Sequence, residues 1–177
     1  MRIACIVSLC MAMLGAQAQA QTDAPSVMKE DQVSKSALID ALTPAEPVRT
    51  RSLRAANEEP AGGAAPSANL LVTFDTNSAR LTPGARKALD VVAQALQSEQ
   101  LNARRFVIEG HADPRGTAEA NMRLSRERAD SVRDYLSGKG VAAGRLQSVG
   151  KGDTELLKPS DPTAPENRRV TFVTVLK

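Results

Sequence analysis

Asp113 and Arg128 are the side chains of this sequence whose types and setting best suit binding chemistry. Asp113 follows an alternating apolar stretch that ends at Gly110-His111, in a turn punctuated by Pro114 and Gly116. Loops anchored on rigid elements are where binding groups gather. Arg128 lies in the helical pattern that comes next. A carboxylate and a guanidinium facing one pocket are complementary to a free amino acid head group. The acid accepts from the ligand ammonium, and the guanidinium forks onto the ligand carboxylate with two parallel hydrogen bonds. From spacing alone the commoner outcome is a simple Asp–Arg salt bridge or two solvated surface charges.

Two registers are open for the helix that carries Arg128. If it starts at Thr117, then Asn121, Leu124 and Arg128 line one side at spacings of three and four. If Ser125 is the N-cap, Arg128 falls in the first turn, nearer to Asp113. Other chemistries find little support. There is one His, both cysteines lie in the first ten residues, and no cluster has metal-ligand spacing. No cofactor is implied, because no glycine-rich phosphate loop is present. A Ser125–His111–Asp113 triad can be written down, but nothing brings Ser125 to His111. A hydrolase would need an acid and a base in reach of each other, and only Glu109 or Glu119 could join Asp113. The basic pI of about 9.1 raises the question of nucleic acid. Glu127, Asp130 and Asp134 interrupt the run Arg123, Arg126, Arg128, Arg133, which marks a solvated mixed-charge helix instead, with no nucleic-acid partner. With three Phe, one Tyr and no Trp, binding built on stacked rings is excluded as a main mode.

These residues need a scaffold, and the chain supplies one after a long preamble. Residues 1–20 read as a secretory leader: Arg2, an apolar run from Ile3 to Leu14 too short to span a bilayer, then small-x-small cleavage sites best placed after Ala20. Loss of Arg2 with the leader leaves 22 basic against 20 acidic residues, a mild positive excess. Cys10 is preceded by Leu9 where lipidation wants a small residue, so a lipoprotein is disfavoured. Residues 21–69 read as an N-terminal tail and flexible linker. Val33, Ala37, Leu38 and Ala41 could share a weak helical face that docks an outer-membrane or envelope partner, although a partly ordered tail is the plainer reading. Arg49, Arg51, Arg54 and Glu58-Glu59-Pro60-Ala61-Gly62-Gly63 then mark an exposed linker.

A folded domain is predicted over residues 70–177. Leu70, Val72 and Phe74 alternate as a strand. Thr82-Pro83 opens a helix whose apolar stripe is Ala85, Ala88, Leu89, Val92 and Leu96. Phe106 and Ile108 form a second strand, and Ala129, Val132 and Leu136 mark a second helix ending near Gly138. Leu146–Val149 and Val170, Phe172, Thr174 complete the pattern. The order βαβαββ predicts an α+β domain, a small mixed sheet with helices packed on one face.

The stretch Gly110-His111-Ala112-Asp113-Pro114-Arg115-Gly116-Thr117, followed by Asn121, Leu124-Ser125 and Arg128-Ala129, resembles the OmpA-like peptidoglycan-binding domain. Asn167-Arg168-Arg169-Val170 is similar to that family's C-terminal signature, and Phe74 to Leu81 to its opening strand and loop. The His-Ala-Asp form is most similar to the peptidoglycan-associated lipoprotein branch. The resemblance implies non-covalent binding of the meso-diaminopimelate side chain of peptidoglycan stem peptides, which ends in a free amino acid. It implies that Asp113 and Arg128 make the contact, that Phe74, Thr76, Ala112, Asn121 and Leu124 shape the pocket, and that Asn167 and Arg168 tie the last strand to the binding loops. It implies a non-enzymatic protein of the periplasm, associated with the cell wall and outer membrane; a periplasmic cell-wall hydrolase is the alternative. Lys151 stands where the family commonly has an aromatic residue, which speaks against ring contact with glycan there. Residues 21–69 are too few for a transmembrane barrel.

Overall fold

The computed structural model describes residues 27–44, 65–75 and 78–176. The leader over residues 1–20, Cys10 and the linker residues 45–64 therefore lie outside the described residues, as does Thr76.

The described elements are β1 (Val27–Met28), α1 (Lys35–Leu42), β2 (Ser67–Leu70), α2 (Pro83–Leu96), β3 (Phe106–His111), α3 (Ala118–Gly138), β4 (Leu146–Gly152) and β5 (Val170–Thr174). Short 3-10 turns precede β4 and β5. The strands form one mixed sheet in the order β1-β2-β5-β3-β4. β1 pairs parallel with β2, and β3 with β4, while β5 runs antiparallel to both β2 and β3.

Strand alternation decides which face is covered. Ala68, Leu70, Phe106, Ile108, Val170 and Phe172 are all buried beneath the helices. The stripe of α2 — Ala85, Ala88, Leu89, Val92 and Leu96 — meets them, as do Ala129, Val132 and Leu136 of α3. Local chemistry sets the helix starts. The Thr82 hydroxyl accepts from Ala85 N at 3.2 Å with Pro83 at the first helical position, and the Thr117 hydroxyl accepts from Ala120 N at 3.2 Å. The register of α3 beginning after Thr117 is thus the one adopted. The Ser125 alternative fails because its hydroxyl sits inside the helix, donating to Met122 O and accepting from Gly152 N.

Two glycines let α3 lie close to the sheet. A β-carbon on Gly110 would fall on the Ser125 carbonyl, and one on Gly150 would come within 2.8 Å of Arg126 N and Met122 O. Gly110 and Gly150 face each other across β3 and β4, so one smooth patch receives the N-terminal half of the helix.

The N-terminal boundary differs from the sequence expectation. Within the span 21–69 read as tail and linker, residues 27–42 and 67–69 are built into the domain. β2 already begins at Ser67, and Val27–Leu42 belong to the domain. β1 extends the sheet, Glu30 Oε1 accepts from both Thr73 N and Thr73 Oγ1 at 2.7 Å, and Thr174 Oγ1 donates to Leu42 O at 2.7 Å. Ser34 caps α1 by accepting from Ala37 N, and Leu38 and Leu42 are wholly buried against the core. The weak amphipathic face is spent within the chain's own core, which removes the reason for assigning it to an envelope partner.

Removing a buried Leu side chain costs roughly 2–5 kcal/mol. Leu38→Ala should therefore lower the unfolding free energy by about 3 kcal/mol in urea titrations. A loss below about 0.5 kcal/mol, the range of surface changes, would show that α1 is not part of the cooperative core.

Candidate functional site

β3 delivers the site. At its end His111 N donates to Arg169 O at 2.9 Å, and Ala112 N donates to Gly152 O at 2.7 Å, so the chain is held from both sides as it leaves the sheet. Asp113 follows, and only 5% of it is exposed. Its carboxylate is saturated with donors. Arg115 reaches Oδ1 through its backbone N–H (3.2 Å) and Nε (3.1 Å), and Oδ2 through Nη2 (2.6 Å). Arg168 adds Nη1 to Oδ2 at 2.7 Å. These hydrogen bonds, led by the Arg115 side chain, outweigh burial and hold the carboxyl down to about 2.

Arg128 comes from the third turn of α3. Its guanidinium lies 4.9 Å above the centre of the Phe74 ring, and Nε donates to Ser78 O at 3.2 Å. Among the described residues it has no ion-pair partner. Burial, and then the nearby Arg168 charge, disfavour its protonated form, with Asp113 working the other way. The direct Asp113–Arg128 salt bridge that spacing allowed is therefore not the arrangement adopted. Asp113 pairs with Arg115 and Arg168, and Arg128 is left facing the same space.

That space is an open cavity of about 450 Å³ lined by Phe74, Asp75, Ala112, Asp113, Arg115, Asn121, Leu124, Arg128 and Arg168. Phe74, Ala112, Asn121 and Leu124 are thus brought to the same cavity as the two charges. Asn121 also builds it: Nδ2 donates to Asp113 O at 3.1 Å and Asp153 Oδ2 at 3.2 Å, fixing the loop to α3. Asn167 is wholly buried and lies outside the lining. Its amide accepts from Lys158 N at 2.9 Å and donates to Asp161 O at 3.0 Å and Pro162 O at 2.9 Å, which locks the turn before β5. Arg168 is aimed by that turn, so it lines the cavity as well as holding the loop. Arg115 was not singled out in the sequence. Its signal was local: an Asp followed two residues later by an Arg, within reach of one turn.

On the open face of the sheet lies a polar cluster that the sequence pattern did not disclose. Glu109, His111 and Glu155 each offer a ligand atom within 4.8 Å of the others. The Lys151 ammonium bridges the two carboxylates, 2.7 Å from Glu155 and 3.4 Å from Glu109, so a cation of the chain itself already serves them. His111 is buried. Thr171 Oγ1 donates to Asn69 Oδ1 at 2.8 Å and so receives the proton of His111 Nε2 at 3.3 Å. No triad forms, since Ser125 and His111 each have other partners. Burial, then the nearby Arg169 charge, lowers His111 to about 4.

A His whose folded pKa lies below its unfolded value stabilises the fold fully above the unfolded pKa. That contribution is lost as pH falls from 6.5 through 4. The loss is on the order of 3 kcal/mol. Urea unfolding followed from pH 7 to pH 4 should show it, and His111→Gln should flatten the slope in that window. An unchanged slope would mean that His111 is not held neutral.

Comparison with known proteins places this geometry. Residues 73–169 match the model of the OmpA family. The peptidoglycan-associated lipoprotein of Mesorhizobium japonicum is 38% identical over 100 residues, covering 55% of this chain and 58% of that protein. The Pseudomonas aeruginosa protein of the same name is 39% identical over 99 residues, covering 55% and 57%. This chain thus spans rather more than half the length of these relatives. Among solved structures, the Burkholderia pseudomallei peptidoglycan-associated lipoprotein superposes with a TM-score of 0.51 at 32% identity, over 59% of this chain and 88% of that one. The OmpA-like domain of FopA1 from Francisella tularensis has a TM-score of 0.53 at 23% identity, over 62% and 70%, and shares the fold. The matched span includes the loop after β3, all of α3 and the turn before β5, and the chain belongs to the OmpA family.

Proposed function

We propose that this chain binds peptidoglycan non-covalently by seating the free amino acid end of a diaminopimelate stem-peptide residue in the cavity between Asp113 and Arg128. The observation that carries the reading is the division of charge across one cavity. One wall carries a buried carboxylate that stays ionised well below neutral pH, and the other a guanidinium with no ion-pair partner among the described residues. A zwitterion is complementary in charge to both, and its carboxylate would give Arg128 the anion it lacks. The relatives named peptidoglycan-associated lipoprotein support the same substrate class and a location in the envelope, at the cell wall and outer membrane.

The protein acts as a binder in this reading, not as a hydrolase. Asp113, gripped by two arginines, is a poor proton donor at neutral pH. Glu109 is engaged with Lys151 on the open face of the sheet. Few contacts hold each head group, and retention on the wall comes from the many copies that the polymer presents.

Sedimentation with purified sacculi tests the proposal. Asp113→Asn and Arg128→Ala, each checked for native circular dichroism, should lose most of the co-sedimenting fraction, and the wild type should release no muropeptides. Wild-type retention by both variants would refute the site. Released muropeptides would revive the hydrolase.

A further inference from the structure

We infer that Arg115 is an internal competitor, its guanidinium standing in the seat that a ligand ammonium must take on Asp113. The inference rests on the proposed diaminopimelate reading and adds a residue that sets its affinity and selectivity.

A carboxylate offers about four acceptor positions. Five donor contacts already converge on Asp113, from Arg115 N, Nε to both oxygens, Arg115 Nη2 and Arg168 Nη1. No acceptor position is left for an incoming ammonium, so one resident donor has to leave. The backbone N–H of Arg115 is fixed by the turn. Arg168 projects from the locked turn before β5, with its side chain 39% exposed. The Arg115 side chain is 63% exposed, and beyond Asp113 it makes no other hydrogen bond or ion pair among the described residues. Of the two arginine side chains it is the more exposed, so it regains water most fully on leaving, and an incoming ammonium would replace it as the cation beside the carboxylate.

A second consequence follows from the charge of the cavity wall. With Arg115 displaced, its guanidinium stays on a rim that already holds Arg128 and Arg168, where it favours ligand carboxylates. The side chain therefore opposes the ammonium and assists the carboxylate. A ligand with both groups is admitted at a discount in affinity, and one with carboxylates alone avoids the competition entirely.

A seat that is free only about one-fifth of the time, taken as an order of magnitude, lowers apparent affinity about five-fold. Calorimetric titration of the full chain with free meso-diaminopimelate should thus show tighter binding to Arg115→Ala and Arg115→Gln than to wild type, by about that factor. Pimelate has the same carbon chain and two carboxylates but no ammonium, and it should bind these variants no better than wild type. Equal or weaker diaminopimelate binding by both variants, with wild type still binding, would overturn the role of Arg115 alone. Equal tightening for both ligands would also overturn it, because a general loosening of the cavity would do that. If wild type and both variants, all folded, fail to bind diaminopimelate, the site reading itself falls and this inference falls with it.

Discussion

Withdrawing a carboxylate from water costs several kcal/mol unless cations and N–H donors replace the lost solvent. At Asp113 the replacement comes from two arginines, both later in the chain but at very different distances along it. One is in the same turn, and the other is 55 residues on, just before β5. Much of the domain's architecture serves that convergence. The buried Asn167 amide shapes the turn that aims Arg168, the Asn121 amide clasps the Asp113 carbonyl, and β3 is tied at its end to both neighbouring strands. An acid so placed cannot readily trade protons, and it makes a durable electrostatic anchor.

The face of the sheet away from the helices is not bare. Asn69, Thr171 and His111 are buried there in a chain of hydrogen bonds, with Arg169 reaching both Asn69 and the Glu155 carbonyl. Lys151 closes the cluster by spanning Glu109 and Glu155. Where relatives were expected to carry an aromatic side chain, this protein spends the position on an ion-pair network. Buried polar groups are tolerable only when partnered, and here most of them are. The bare Nδ1 of His111 is the exception within this cluster.

Much of this was legible from residue order. Thr82-Pro83 announced α2, and its stripe was buried as the 3.6-residue period required. The strand at Phe106 and Ile108, the helix carrying Ala129, Val132 and Leu136, and the last strand at Phe172 follow from period and punctuation in the same way. β1 was not legible, and α1 was legible only as a weak helical face whose place in the core was not, for a physical reason. Two residues of strand have no period, and eight residues of helix with a narrow apolar face look like any polar tail until the core beneath them is known. The start of α3 was ambiguous because Ser125 and Thr117 are both competent caps. Only the fold shows that Gly152 claims the Ser125 hydroxyl. At the site, the sequence suggested which charges mattered but not how they were paired. Arg168 meets Asp113 only through tertiary structure, and Arg115, two residues away, looked like an ordinary surface arginine.

The glycines beneath α3 bear on the site without touching it. The reach between the loop carboxylate and the Arg128 guanidinium depends on how deeply the helix sinks onto β3 and β4, and Gly110 and Gly150 set that depth. A methyl group at either position would work as a shim, lifting the helix and widening the jaws while leaving both charges intact. The gauge of this clamp is therefore set in the floor of the domain, and ligands of a different length could be accommodated by adjusting that floor.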